Sequence, residues 1–276
     1  MTTEVRSRPA PGWPRKAATA AAILIPALVT GFAVWRAASE GVAALSLGLF
    51  AGMYLLSGFG ITVGFHRMLT HNSLEAWGGL KAALLVAGCM AVQGSPVAWA
   101  AGHLEHHTDA DGEGDPHSPR RGLTHAHAGW LLTHSADPAR FARHLLQDRV
   151  VMAVDRTWGL WALLGLAAPW AIGGFEGLLW GGFVRIFAVH HATWCVNSIC
   201  HRFGARPFDT HDGSRNNAFV ALIALGEGWH NNHHAFPASA IQGLRWFEVD
   251  LSGLLIRALA RVGLVRRFKG PPPGVA

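Results

Sequence analysis

Residues 80–107 read L-K-A-A-L-L-V-A-G-C-M-A-V-Q-G-S-P-V-A-W-A-A-G-H-L-E-H-H. The run from Leu80 to Ala101 is apolar and long enough to cross a bilayer, for which about 20 residues suffice. It ends on His103, His106 and His107, and a second histidine group, His66 and His71 in H-R-M-L-T-H, precedes it. A single crossing would leave the two groups in opposite compartments, unable to share a site. Gln93, Gly94, Ser95 and Pro96 interrupt its second half. The run is therefore expected to dip into the membrane or lie along it and return, its irregular backbone enclosed by protein or a cavity.

The spacing of His103, His106 and His107 returns in His230-Asn231-Asn232-His233-His234. On a helix, positions i, i+3 and i+4 put three imidazoles on one face, aimed at a single point. With 17 His in 276 residues, chance would give roughly 0.06 such patterns per chain, and the chain has two. Asn197 and His201, in N-S-I-C-H, form a fourth group. Neutral imidazole suits iron, copper, zinc and nickel. One zinc takes three or four ligands, whereas His66, His71, His103, His106, His107, His201, His230, His233 and His234 suffice for two ions. Carboxylate di-iron bundles use Glu and Glu-x-x-His, but here Glu105 alone lies inside a histidine group and points off the shared face. The set predicts an all-histidine centre of two iron ions (Fe2+/Fe3+). Its chemistry would be O2 activation and attack on an unactivated C–H bond, which redox-silent zinc does not support. No catalytic residue beyond the metal centre stands out. Asp115 and His127 are the candidates to hold the far ring nitrogen of ligand imidazoles. His117, His125, His134, His144, His190, His191 and His211 read as supporting, interfacial or solvated groups.

Half the residues are apolar, 14% are charged, and 12 Trp stand against one Tyr, a membrane composition. The formal charge of +6 gathers at the ends, in Arg6, Arg8, Arg15 and Lys16 and in Arg257, Arg261, Arg266, Arg267 and Lys269. Basic ends mark the cytoplasmic side and do not imply nucleic-acid binding. Cys89, Cys195 and Cys200 form no C-x-x-C pair and read as packing residues. The first apolar run is too long for a signal peptide and lacks a clear cleavage site, so a retained helix is expected. The predicted fold is all-α: a membrane protein with four transmembrane helices, a re-entrant or interfacial segment, and a cytoplasmic helical cap holding a dimetal site. The crossings are Ala17 to Trp35, Val42 to Phe65, Arg156 to Ile172 (short, so tilted or locally thinned) and Gly177 to Val196. Residues 1–16 form a disordered cytoplasmic tail and 17–250 the membrane domain with its cap. An amphipathic helix is expected in the cap around Pro138 to Val150. Residues 251–276 supply an interfacial helix, Leu251 to Val265, and a tail.

The pattern H-x4-H, H-x2-H-H, H-x2-H-H resembles the membrane fatty acid desaturases, most of all the acyl-CoA delta-9 (stearoyl-CoA-type) branch. Q-G-S-P-V-A-W-A-A-G-H, D-P-H-S-P-R-R-G, H-A-G-W-L-L, T-W-C-V-N-S-I-C-H-R-F-G and A-L-G-E-G-W-H-N-N-H-H carry the likeness across about residues 60–240. The resemblance implies O2-dependent insertion of a cis double bond, delta-9 in that branch, into a long acyl chain at a di-iron centre. It implies the nine histidines as ligands, with Asn197 reaching one metal through water. It also implies that Gln93, Trp99, Thr193 and Trp194 shape a bend in the acyl tunnel, which fixes the methylenes that meet the oxidant. Acyl-CoA members commonly carry Arg-Asp before the second histidine group. Ala101-Gly102 stands there in this chain, although Arg120 and Arg121 are present, so CoA, lipid and carrier protein all stand as acyl carriers. With no G-x-G-x-x-G turn and no C-x-x-C-H, electrons must come from a separate ferredoxin-like or small cytochrome donor drawn to the basic face. Membrane lipid is a further partner, and the bacterial inner membrane the expected location, with both termini and the metal site cytoplasmic. The rivals are a di-iron hydroxylase of an alkane, sterol or carotenoid, and a metal transporter or sensor, which would line a mid-membrane path with ionisable groups.

Overall fold

A computed structural model describes residues 11–275. Of the tail expected over 1–16, residues 1–10 lie outside the described residues, and 13–16 form the first turn of α1 (Trp13–Glu40), which opens with a proline near its N-terminus. Helix α2 (Ala44–Phe59) runs into a π-helix over Gly60–Thr70. After β1 (Leu74–Ala76) come α3 (Gly78–Cys89) and α4 (Pro96–Thr108). Among the described residues, three stretches are long and apolar enough to cross a membrane: Trp13–Glu40, Ala44–Thr70 and Trp158–Ser198, with mean hydropathies of 2.1, 1.7 and 1.4.

The third stretch comprises α8 (Trp158–Gly177), a π segment (Leu178–Val184) and α9 (Arg185–Ser198). It is folded back on itself at Gly174, whose φ of +58° is a conformation that glycine adopts without a Cβ penalty. A Cβ on Gly181 would press on Pro169, and one on Gly182 on Leu166, so the two arms lie antiparallel. They coincide closely with the two runs read as separate crossings.

The segment between α3 and α4 breaks where Q-G-S-P predicts. Val92 (φ +58°) and Gly94 (φ +99°) turn the chain, and a β-branched residue in that region is strained by roughly 1–3 kcal/mol. The freed carbonyls are answered from α9. Arg185 donates to Met90 O, and to Gly165 O at 2.7 Å and Gly181 O at 3.1 Å; His190 Nε2 lies 2.9 Å from Ala91 O and 3.2 Å from Val92 O. The carbonyls of Met90, Ala91 and Val92 thus find protein donors where the helix breaks. The chain returns, and the two histidine groups stay together.

Close approach between α3 and the π stretch depends on glycine at both sides. A Cβ on Gly60 would collide with the backbone of Ala87 and Gly88, and one on Gly88 with the Phe65 ring and the Gly60 carbonyl. The main core joins these elements to α4 and α12 (Leu251–Arg261), with Phe65, Leu85, Ala101, Val151 and Ile256 fully buried.

The cap differs in detail from expectation. The amphipathic helix expected over 138–150 is divided into α6 (Pro138–Phe141), a 3-10 turn and α7 (Arg149–Arg156), following the short α5 (Leu123–His127). The reason is capping, which starts helices anew: Asp137 accepts from Ala139 N, and Asp148 from Val150 N and Val151 N. Helices α10 (Ala218–Ile223) and α11 (His230–Ala235) complete it. The last helix stops at Arg261, and Val265–Phe268 forms β2, antiparallel to β1. The all-α expectation is corrected to that extent. Three and four residues are too few to show a period of two, and the ribbon is held by pairs such as Arg267 Nε to Glu75 Oε2 at 2.7 Å.

Candidate metal centre

The two H-x-x-H-H motifs do not each converge on one point. His66, His71, His103, His107 and His233 form one group, and His106, His201, His230 and His234 another. Within each group the ligand-capable atoms all lie within 4.8 Å of one another. Helix α4 therefore gives its i and i+4 rings to the first group and its i+3 ring to the second; α11 does the reverse. The groups adjoin, with the His107 and His234 rings stacked at 4.7 Å between centroids.

His66 and His71 are placed by the π-helix. On an α-helix, positions i and i+5 lie about 140° apart around the axis. The wider π turn, sealed by His71 N donating to His66 O at 3.1 Å, brings both rings to one side, with centroids 4.8 Å apart. π segments recur at functional sites for such reasons.

Facing nitrogens define the interior. His66 Nε2 lies 3.2 Å from His233 Nε2, which is 3.1 Å from His107 Nε2, itself 3.0 Å from His103 Nε2. In the other group, His230 Nε2 lies 2.9 Å from His201 Nε2 and 3.1 Å from His234 Nε2. Meanwhile carboxylates hold the far nitrogens. His66 Nδ1 pairs with Glu227; His201 Nδ1 lies 3.0 Å from Asp111 and His234 Nδ1 2.7 Å from Asp212. Such partners put the ring proton on Nδ1 and leave Nε2 as a lone pair. His230 can donate to only one of its two lone-pair neighbours, and the buried Nε2 atoms of His71 and His106 have no partner. Too few protons exist to satisfy these contacts. A cation in each group would do so, and imidazole nitrogens suit iron, copper, zinc and nickel.

Electrostatics agree with neutral ligands. Burial, then the neighbouring imidazoles, push His71, His103, His106, His107, His230 and His233 well below the usual histidine range. Against burial, which acts the other way, the His66 ring and the Arg67 guanidinium hold the Glu227 carboxyl at about 2. Arg67, fully buried, donates to Glu227 at 2.9 and 3.0 Å, to Asp250 twice at 2.9 Å and to Ala240 O at 2.9 Å. It ties the π-helix to the loop that carries Glu227.

Of the predicted supports, Asp115 Oδ2 lies 3.0 Å from His106 Nδ1, without hydrogen-bond alignment. His127 sits elsewhere: its nitrogens face Ser198 Oγ and His191 Nδ1, both at 2.9 Å. Asp111, Asp212, Glu227 and Gln242 (3.4 Å from His233 Nδ1) escaped the sequence reading, whereas His117, read as a supporting or solvated group, lies against His106 with ring centroids 4.2 Å apart and tilted. The one available signal was acid close to a histidine group in sequence, as with Glu227 before His230. Glu105, off the shared face, accepts from His134 at 2.6 Å.

Two cavities flank the histidines. One, of about 470 Å3, runs from α1 and the α3–α4 break to His103; the other, about 40 Å3 and largely apolar, ends at Tyr54, Ile223 and Leu225. Trp99, His103, Thr193 and Asn197 line both. At this junction Gln93 Nε2 donates to Thr193 Oγ1 at 2.9 Å, and Trp99 Nε1 to Gln93 Oε1 at 3.1 Å. Trp194 is buried and lines the larger cavity. Asn197, four residues before His201, lines the smaller cavity together with His66, His103 and His230.

Comparison with known proteins gives a family model, fatty acid desaturase, matching residues 39–258. The chain is 41% identical over 252 residues to the hex-5-enoyl-(acyl-carrier protein) acetylenase of Moorena producens, covering 83% of this chain and 78% of that protein. It is 41% identical over 220 residues to the sn-1 stearoyl-lipid 9-desaturase of Anabaena variabilis, covering 78% and 80%. It is 38% identical over 225 residues to the acyl-CoA C20 Delta5-desaturase of Anemone leveillei, covering 79% and 72%.

Proposed function

This chain belongs to the fatty acid desaturase family, oxidoreductases of fatty acyl chains, and on that premise we propose that it inserts a cis double bond, at delta-9, into a long acyl chain. Two irons, held by His66, His71, His103, His107 and His233 and by His106, His201, His230 and His234, supply the O2 chemistry when bound. O2 becomes two waters, taking two electrons and two protons with the hydrogens of the chain, and two further electrons and protons from a separate donor system. The observation that carries the reading is the set of facing lone pairs in two adjoining groups, which two cations resolve.

The protein's own part is positional. Glu227, Asp111 and Asp212 orient ligand rings, and Asp115 fixes the Asp111 loop by accepting from Asp111 N and His117 N. Asn197 completes the four-histidine group through a water. Gln93, Trp99 and Thr193, joined by hydrogen bonds, bend the acyl path between the two cavities, and Trp194 walls it. A rigid bend selects which methylenes meet the oxidant and favours the cis product. Four crossings, with the two arms at Gly174 as the last two, put both termini and the metal site on the cytoplasmic face of a bacterial membrane. The basic ends support that orientation. The donor is a ferredoxin-like or small cytochrome protein, drawn by the same basic face.

Expression in a host of simple lipid profile, followed by mass spectrometry locating new unsaturation, tests the reading. A double bond is expected at carbon 9. His106→Ala and His233→Ala each abolish it while the protein still inserts. An alcohol product would replace desaturation by hydroxylation, and full activity in either variant would refute the ligand set.

A further inference from the structure

The larger cavity has an unusual wall. Arg15, Ala18, Thr19, Ala22 and Ile23 line it, and they fall at i, i+3, i+4, i+7 and i+8, a single stripe of α1. Facing them are Gly94, Ser95 and Ala98 of the break and the start of α4, and Trp158 at the start of α8. Helix α1 packs chiefly on residues 178–184, on α9 and on residues 129–132. Its apolar window is 11% buried, against 28% in each of the other two membrane stretches. Arg15, Ala18, Ala98 and Trp158 are exposed. The rim therefore joins the ends of two membrane helices, one of them thinly packed, at the level where tryptophans anchor to an interface. Charge is sparse. Among the lining residues Arg15 is the sole Lys or Arg, and it donates to Ser135 Oγ.

We infer that the acyl chain enters sideways from the bilayer, between α1 and the start of α8, while still esterified to a phospholipid whose phosphate rests against Arg15. The inference rests on the acyl-chain reading of the site. One arginine matches one phosphodiester. A CoA thioester brings several phosphates out of water and needs more cations than this mouth presents. A carrier protein needs a basic docking face around the opening, and the rim is instead Ala18, Ala98 and Trp158. A lipid already lies with its phosphate at the interface and its first methylenes at the depth of Ala18 and Ala22, so entry requires lateral displacement only.

The test uses the full protein in lipid nanodiscs, with stearoyl chains bearing a mid-chain photoreactive diazirine on phosphatidylcholine, on CoA, or on acyl carrier protein. Cross-linked peptides are identified by mass spectrometry. The phosphatidylcholine probe is expected to label residues 92–103 and 190–197 inside the cavity, in competition with unlabelled lipid, well above the other two carriers. Arg15→Ala lowers that labelling by about tenfold, the worth of one charge-assisted contact, and Ala22→Trp removes it by filling the cavity. Labelling confined to the outer faces of α1 and α8, or cavity labelling strongest from CoA or carrier protein, overturns the inference. Desaturation is scored separately on unmodified chains. Cavity labelling without a new double bond upholds lipid entry and sinks the reaction, while a double bond formed fastest on CoA does the opposite.

Discussion

At the scale of single residues, the centre depends on which nitrogen of each ring carries its proton. Six of the nine clustered histidines were legible because two motifs repeat a helical spacing, and His66, His71 and His201 from two further groups in the sequence. The carboxylates that fix their tautomers were not, since Asp111, Asp212 and Glu227 lie outside helices and reach their rings through folds of the chain that no spacing reveals. Asp212→Asn replaces an acceptor with a group that can also donate to His234 Nδ1, freeing the ring to turn its proton inward. Iron affinity is expected to fall about 10–100-fold. Dialysis against graded chelator, with metal content read by mass spectrometry, measures the change. Glu227→Gln is the less clean probe because Glu227 also neutralises Arg67, and opening a buried pair costs roughly 3–5 kcal/mol.

Among elements, two irregular ones govern the rest. The break between α3 and α4 was legible, because Gln-Gly-Ser-Pro cannot continue an apolar helix and the histidine groups demanded a return. The π-helix was not. H-x4-H fits no face of an α-helix, and only the tertiary contact at Gly60 and Gly88 shows why the backbone widens there. Nor did composition reveal what holds the break. Arg185 reads as a charge stranded in an apolar run, yet it donates to the carbonyl that ends α3. Arg185→Leu leaves that carbonyl unpaired, which costs about 1–3 kcal/mol, and releases the strained Val92 turn. The expected result is a lower Tm in detergent together with a spread of double-bond positions, since Gln93 follows directly. An unchanged product profile at reduced Tm would confine Arg185 to a structural role.

Taken whole, the molecule joins membrane helices to a cap assembled from short helices and loops. The long apolar helices were legible from hydropathy; how the short helices close over the site was not, because α4, α11 and the loops carrying Asp111 and Asp212 come together from distant stretches of sequence. A bound metal adds stability of about 4 kcal/mol at a thousandfold excess over its Kd. Chelation is therefore expected to expose residues 109–156 and 202–229 to protease while the membrane helices stay intact, and restored iron to protect them. Equal cleavage with and without metal would mean that the cap is closed by packing alone.

The crossed allocation of rings, in which α4 and α11 each serve both groups, has one more outcome. An ion captured on one side fixes two helices whose remaining imidazoles are the other side's ligands, so the second capture meets a site already assembled. Loading should be cooperative: under scarcity the population divides into full and empty enzymes, and singly occupied intermediates stay rare.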